Sequence, residues 1–305
     1  MKKYNLYNNV FGWVIFIISS IVYLLTIEPT VSFWDCGEFI TTSFKFEVGH
    51  PPGAPLFMIM GRFFTLFGGP ADAAKLVNSM SAIASGATIM FLFWTITHLA
   101  RKLVSNGESI STGQTIAIIA SGIVGGLAYT FSDTFWFSAV EGEVYATSSL
   151  MTAVVFWAIL KWENVADEPN SNRWLIFIAY IIGLSIGVHL LNLLAIPAIV
   201  FVYYFKKYEV TRKGVIVASI ASFVILGFIM YGIIPGVVTI GSWFELLFVN
   251  TFGLPFDSGL YFYMIVLIAA VVYGIWYTFK KQMVIWNTII VGVTVILIGY
   301  SSFAF

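Results

Sequence analysis

Several groups of side chains in the 305-residue chain have the types that acid–base or phosphate chemistry uses. The densest reads Glu28-Pro-Thr-Val-Ser-Phe-Trp-Asp35-Cys36-Gly37-Glu38-Phe39. Asp35 and Glu38 are three residues apart, which puts them on one face if the segment is helical. Gly37 permits a tight turn if it is not. Two carboxylates flanked by Trp34 and Phe39 at a membrane surface sit partly desolvated. That environment raises a carboxyl pKa and can make a base. On spacing alone, a helix-capping acid followed by a solvated charge is the competing reading. Next comes Gly49-His50-Pro51-Pro52-Gly53. Its two prolines lock φ and remove two donors. They present His50 rigidly at the head of the run 54–67, or carry it as a passenger of a proline-rich helix start.

Two further groups are thinner. Trp136-Phe-Ser-Ala-Val-Glu141-Gly-Glu143-Val-Tyr145 leaves Glu143 at the mouth of a following span. Taken alone it is an acid favoured by a helix N-terminus. Gly187-Val-His189-Leu-Leu-Asn192 sets a polar pair in an apolar turn. Such a pair is costly unless partnered, so it is either a tertiary hydrogen bond or part of a site. By type, Asp35, Glu38, His50, Glu143 and His189 could bind a divalent metal. They come from separate segments, so spacing gives a metal no support and none is expected. No phosphate-cradling loop or dinucleotide fingerprint is present. There is no basic tract of the kind that binds nucleic acid.

The elements that must position these groups are membrane helices. Apolar residues make up 59% of the chain, charged residues only 10%, and mean hydropathy is +0.92. Soluble domains run at about 45–50% apolar and about 25% charged. A disordered chain, a coiled coil and an ordinary soluble enzyme are therefore excluded. Cys36 is the sole cysteine, so there is no intrachain disulfide. The expected fold class is all-α, a polytopic bundle of about nine transmembrane helices. Eight spans fall near 10–27, 76–100, 114–131, 143–161, 174–190, 214–235, 259–279 and 283–305, and a ninth at 191–205. The first ends at Glu28-Pro29 with no small-x-small cleavage signal, so it is retained. The run 54–67 contains Arg62 and is too short to cross comfortably.

Net charge is zero, but the charges segregate. With the N-terminus inside and 54–67 lying along the outer surface as an interfacial helix, twelve cations face inward: Lys2, Lys3, Arg101, Lys102, Lys161, Arg173, Lys206, Lys207, Arg212, Lys213, Lys280 and Lys281. Only Lys45, Arg62 and Lys75 fall outside. The positive-inside rule favours this arrangement. It places the first outer loop, 28–75, and ten of the fifteen acids on the outer face. Gly183 and Gly187 form a GxxxG, read as helix packing.

The combination Asp35-Cys-Gly-Glu38, then Gly49-His50-Pro51-Pro52-Gly53-Ala-Pro55-Leu56, then Asn78, resembles the TMEM260-like protein O-mannosyltransferase family and its bacterial, Bacteroidota-type members. That family belongs with the C-type (GT-C) glycosyltransferases. The likeness is strong over 28–80 and extends in outline along the whole chain. It implies a GT-C-like transmembrane domain over 1–305, the N-terminal part of a longer protein whose soluble C-terminal part is absent here. It also implies transfer of a sugar, mannose in the family, from a polyprenyl-phosphate donor to a Ser or Thr hydroxyl of an exported protein. The membrane would be the bacterial inner membrane, with the site on its periplasmic face.

In that frame Asp35 is the general base, and Glu38 is grouped with it as catalytic, positioning substrate or phosphate. His50 is expected to position substrate or phosphate, with Glu143, His189 and Asn192 as further substrate-binding candidates. The departing phosphate needs cations, and the outer candidates are Arg62, then Lys45. The competing reading is a lipid-linked sugar flippase or small-molecule transporter. That would need polar groups at mid-membrane or broken helices in paired repeats, whereas these spans are apolar at their centres.

Overall fold

The computed structural model describes residues 2–51, 53–105 and 110–304. Pro52 of the proline turn lies outside the described residues. The described residues are helical with no strand. The chain opens with α1 (Lys2–Leu25), followed by two short helices, α2 (Cys36–Lys45) and α3 (Pro55–Thr65). A 3₁₀ turn, Pro70–Asp72, leads into α4 (Ala73–Ser105). Then come α5 (Thr112–Thr130), α6 (Asp133–Ala139), α7 (Val144–Val165) and α8 (Arg173–Ile186). A 3₁₀ segment, Leu190–Ala195, precedes α9 (Ile196–Lys207). The last elements are α10 (Arg212–Gly227), α11 (Ile234–Leu246), α12 (Ser258–Lys280) and α13 (Val284–Tyr300).

Eight helical stretches are long and apolar enough to cross a membrane. The chain is therefore an integral membrane protein, an all-α polytopic bundle. The crossing expected over 174–190 is α8, whose 14 residues fall short of spanning length. The segment 54–67 folds as the 11-residue α3, about 16 Å long. At its head, Leu56 donates its N–H to the carbonyl of Gly187 (2.8 Å), which seats α3 on the end of α8.

One expectation needs correction. The outer stretch 236–258, read as a loop, is helical as far as Thr251, and Arg212–Thr251 forms one 40-residue helical run. Pro235 has no N–H to donate and would break a regular helix. Here it sits in the first turn of α11, immediately after a π-helical segment, Phe228–Ile233, that re-registers the backbone. A second π segment, Leu247–Thr251, ends the run. Glu245 then accepts from the backbone N–H groups of Asp257 (2.6 Å) and Leu260 (3.0 Å), so this acid caps α12.

The long α4 is the hub, packed against α1, α5 and α7. One core joins α1, α4, α5 and α6 around Ile15, Tyr23, Ile89, Phe93 and Ile118. Another joins α7, α8, α9 and α13 around Val155, Ile159, Trp162 and Leu193. Gly183 makes a close backbone approach in that half. A Cβ there would run into the backbone of Ile296 on α13, so the packing reading of this glycine holds. A third core, around Phe39, Phe57, Val77, Met80 and Val144, lies where α2 and α3 meet α4 and α7. It supports the site.

Candidate active site

Asp35 stands at the N-cap of α2, after a left-handed Trp34 (φ 61°) that turns the chain into the helix. Its carboxylate is exposed, caps no backbone N–H and has no partner among the described residues. One turn on, Glu38 accepts from both donors of His50. One carboxylate oxygen takes the backbone N–H and the other lies 3.0 Å from Nδ1. The turn that delivers His50 closes when Gly53, at φ 73°, donates to the His50 carbonyl (2.7 Å). A positive φ of that size is open to glycine at no steric cost. The donor atoms of Asp35, Glu38 and His50 lie within 4.8 Å of one another. By type and spacing these three could share a divalent cation, a grouping that linear spacing did not support.

The structure adds two acids from the turn 140–143. Glu141 and Glu143 are buried, at 4% and 5% exposure, against fully buried Cys36. The Cys36 Sγ lies 3.7 Å from a carboxylate oxygen of each. Glu143 is the N-cap of α7 and accepts from the Val144 N–H (3.3 Å). Gly142, between them, is required by close approach: a Cβ there would sit 2.9 Å from Asn78 Oδ1 and 3.1 Å from Val77 Cγ1. Asn78 in turn donates to the carbonyls of Glu28 (2.7 Å) and Thr30 (3.2 Å), and the Glu28 N–H donates to Val140 O (3.1 Å). The first loop is thereby tied to α4 and to the 140–143 turn.

The electrostatics differ from expectation. Trp34 is 87% exposed and faces solvent. Glu38 is held below the usual carboxylate value by its bonds from the His50 N–H and ring, and His50 is raised by the same partner. It is the second pair that burial raises. Glu143 is pushed up to about 6, with the charges of Asp35 and Glu141 adding to the effect of burial. Glu141 moves in the same direction, again by burial.

Other expected residues sort by distance along the fold. The His189 ring packs on Tyr145 at 5.4 Å, and its Nδ1 accepts from the Leu191 N–H (3.1 Å). Asn192 is fully buried, and neither side-chain polar atom has a partner. Arg62 donates to the carbonyl of Phe44 and lies over that ring at 5.8 Å. It therefore stands with Lys45 at the C-terminal end of α2. Asp35 and Glu38 are at the other end, about 12 Å away along the helix axis. Neither cation sits beside the acids. Glu141 and Cys36 were not picked out from sequence. The signals were the Glu141-x-Glu143 spacing and a cysteine set between two acids.

The chain was compared with known proteins. Residues 35–212 match the family model described as "Protein O-mannosyl-transferase TMEM260 N-terminal domain". The match begins at Asp35 and takes in every residue of the cluster. A protein O-mannosyl-transferase tmem260 from Dictyostelium discoideum is 26% identical over 198 residues, covering 63% of this chain and 22% of the relative. Its Mus musculus counterpart is 25% identical over 166 residues, covering 54% and 21%. The chain thus spans about a fifth of the length of these curated relatives. No solved structure matches.

Proposed function

The chain belongs to the family of protein O-mannosyl-transferase TMEM260 N-terminal domains, and from that premise we propose that it is the membrane part of a glycosyltransferase. The reading is transfer of a mannosyl group from a polyprenyl phosphate to a Ser or Thr hydroxyl of an exported protein. The observation that carries it is the exposed, unpartnered carboxylate of Asp35 beside the Glu38–His50 pair. The acceptor oxygen attacks the anomeric carbon and its proton passes to Asp35. The bond from that carbon to the phosphate oxygen breaks, and polyprenyl phosphate leaves with the electron pair. Glycosyl phosphate is already a good leaving group, so one base suffices for an inverting displacement.

The phosphate charge is met by His50. Its bond to Glu38 favours the imidazolium, and it stands at the cluster, unlike Arg62 and Lys45. Glu141 and Glu143 lie buried against Cys36, the residue after Asp35. The twelve-to-three charge split supports an orientation with this cluster on the periplasmic face of a bacterial inner membrane and the N-terminus in the cytoplasm.

The test is transfer from polyprenyl-phosphate mannose to a Ser/Thr peptide by the purified full-length protein in vesicles. Asp35→Asn is expected to cut the rate by ~100-fold or more with the thermal midpoint unchanged. Wild-type turnover by that variant would sink the base assignment. A second reading rests on the mutual spacing of Asp35, Glu38 and His50. A divalent ion shared by the three would add positive charge at the phosphate. Loss of transfer in EDTA and its recovery with Mn²⁺ or Mg²⁺ would support that ion. Full activity in EDTA would reject it.

A further inference from the structure

Trp34, the residue before Asp35, is the most exposed of the chain's ten tryptophans, at 87%. Its indole makes no ring contact and no hydrogen bond among the described residues. The other exposed tryptophans are Trp13, Trp243, Trp276 and Trp286. Each of those lies in a stretch long and apolar enough to cross a membrane, where lipid covers it. Trp34 lies outside all of these stretches, so a spanning helix does not account for its exposure.

Its backbone is also in a conformation that bulky side chains rarely take. Trp34 has φ 61°, and a large residue in the left-handed region is a strained outlier that persists only where its surroundings hold it there. Both flanks of Trp34 are tied. On one side the Glu28 carboxylate accepts from the Thr30 N–H (3.2 Å) and hydroxyl (2.9 Å), while Asn78 donates to the carbonyls of Glu28 and Thr30. On the other side the Phe39 N–H donates to the Asp35 carbonyl (2.9 Å), which starts α2. The fold thus fixes an unpartnered indole in the open, at a conformational cost, one residue from the exposed carboxylate of Asp35. The two Cα atoms are about 3.8 Å apart.

We propose that Trp34 is the platform on which the sugar ring of the lipid-linked donor stacks, and that it sets the preference of the site for a sugar-bearing lipid. The inference rests on the glycosyltransferase reading. In that reading the acceptor oxygen stands between Asp35 and the anomeric carbon, so the sugar ring lies within reach of the side chain next to Asp35. A pyranose carries C–H groups on its faces and hydroxyls around its rim. An indole offers a broad, flat, electron-rich apolar face and gives up only two torsions when a ligand fixes it. Stacking covers the C–H face of the sugar and leaves its rim hydroxyls free for polar partners. His50 meets the phosphate of the same donor, so the two residues divide its head between them.

The experiment is calorimetric titration of the purified full-length protein in micelles with two probes. One is mannosyl farnesyl phosphate. The other is farnesyl methyl phosphate, which carries the same charge and chain without the sugar. The wild type is expected to bind the first about tenfold more tightly. Trp34→Gly removes the ring and relieves the strained φ. Its thermal midpoint should hold or rise while the sugar preference disappears, and Trp34→Phe should keep most of that preference. Should Trp34→Gly fail to fold, Trp34→Asn, which also tolerates a left-handed φ, carries the test. Equal binding of the two probes by the wild type, or a wild-type preference in the ringless variant, would overturn the platform. Equal weakening of both probes would assign the indole to the lipid chain or the membrane surface and overturn it as well. The titration needs no turnover, so a wild type that transfers no sugar counts against the glycosyltransferase reading while the binding comparison still decides the role of Trp34.

Discussion

The two ends of this bundle are built on different plans. The basic end is made of helix faces, with side chains at regular intervals along α1, α4 and α7 that meet because the helices pack side by side. The acid end is made of connections. Asp35 and Glu38 start a short helix, His50 hangs on a glycine-closed turn, and Glu141 and Glu143 come from another turn held by Gly142 and Asn78. Helix faces give side chains fixed positions along packed axes. Loops tied down at several points let an exposed carboxylate sit beside buried ones, which is the contrast that acid–base chemistry needs.

The strongest way to break this contrast is to loosen the seat of the acid end. Gly142→Val puts carbon where Asn78 and Val77 already stand. Overpacking of this kind costs about 1–3 kcal/mol, and it also moves both glutamates. We expect near-complete loss of transfer with a lower thermal midpoint, read by peptide mass spectrometry and fluorescence-monitored melting.

The Glu38→Ala, His50→Ala double variant should act through the donor. Its KM for polyprenyl-phosphate mannose is expected to rise by about tenfold, the scale of one lost charge-assisted bond. Donor binding and rate that match the wild type would remove the pair from substrate positioning.

A smaller effect follows from Glu143. Its folded value, about 6, lies above the ordinary 4.5. A carboxyl raised in this way adds stability below its unfolded value and loses it as pH rises through the folded one. The wild-type melting temperature should therefore decline from pH 4.5 to above pH 6, and Glu143→Gln should flatten that part of the profile. The Glu38–His50 pair works in the opposite sense at each edge. Its help is lost as pH falls through the lowered Glu38 value or rises through the raised His50 value.

The smallest change in transfer is expected from Arg62→Gln. It removes a donor to the Phe44 carbonyl at the end of α2 away from the acids. Stability should fall by about 1.5–3 kcal/mol with donor KM held within about twofold. A large rise in donor KM would return Arg62 to the phosphate site.

Much of the frame was legible in the sequence. Long apolar runs identified the helices, and the Asp35–Glu38 and His50 motifs marked the loaded loop. The continuation of helix to Thr251 lay beyond the span read at 214–235, and only the π segment before Pro235 shows how the backbone carries the helix past it. Burial of Glu141 and Glu143 was not legible, because the turn that carries them meets Cys36 only in the fold, while Trp34 beside Asp35 in sequence faces solvent.

The sequence by itself determined most of the segments that are long and apolar enough to cross a membrane. A spanning helix satisfies its backbone within its own segment, so its signal is local. Tertiary structure alone decided which acids share a site and which cations do not. Cys36 meets Glu141 across 105 residues of chain, and the separation of Arg62 from Asp35 is set by the direction in which α2 runs. Neither relation has a period or a spacing that a linear reading can see.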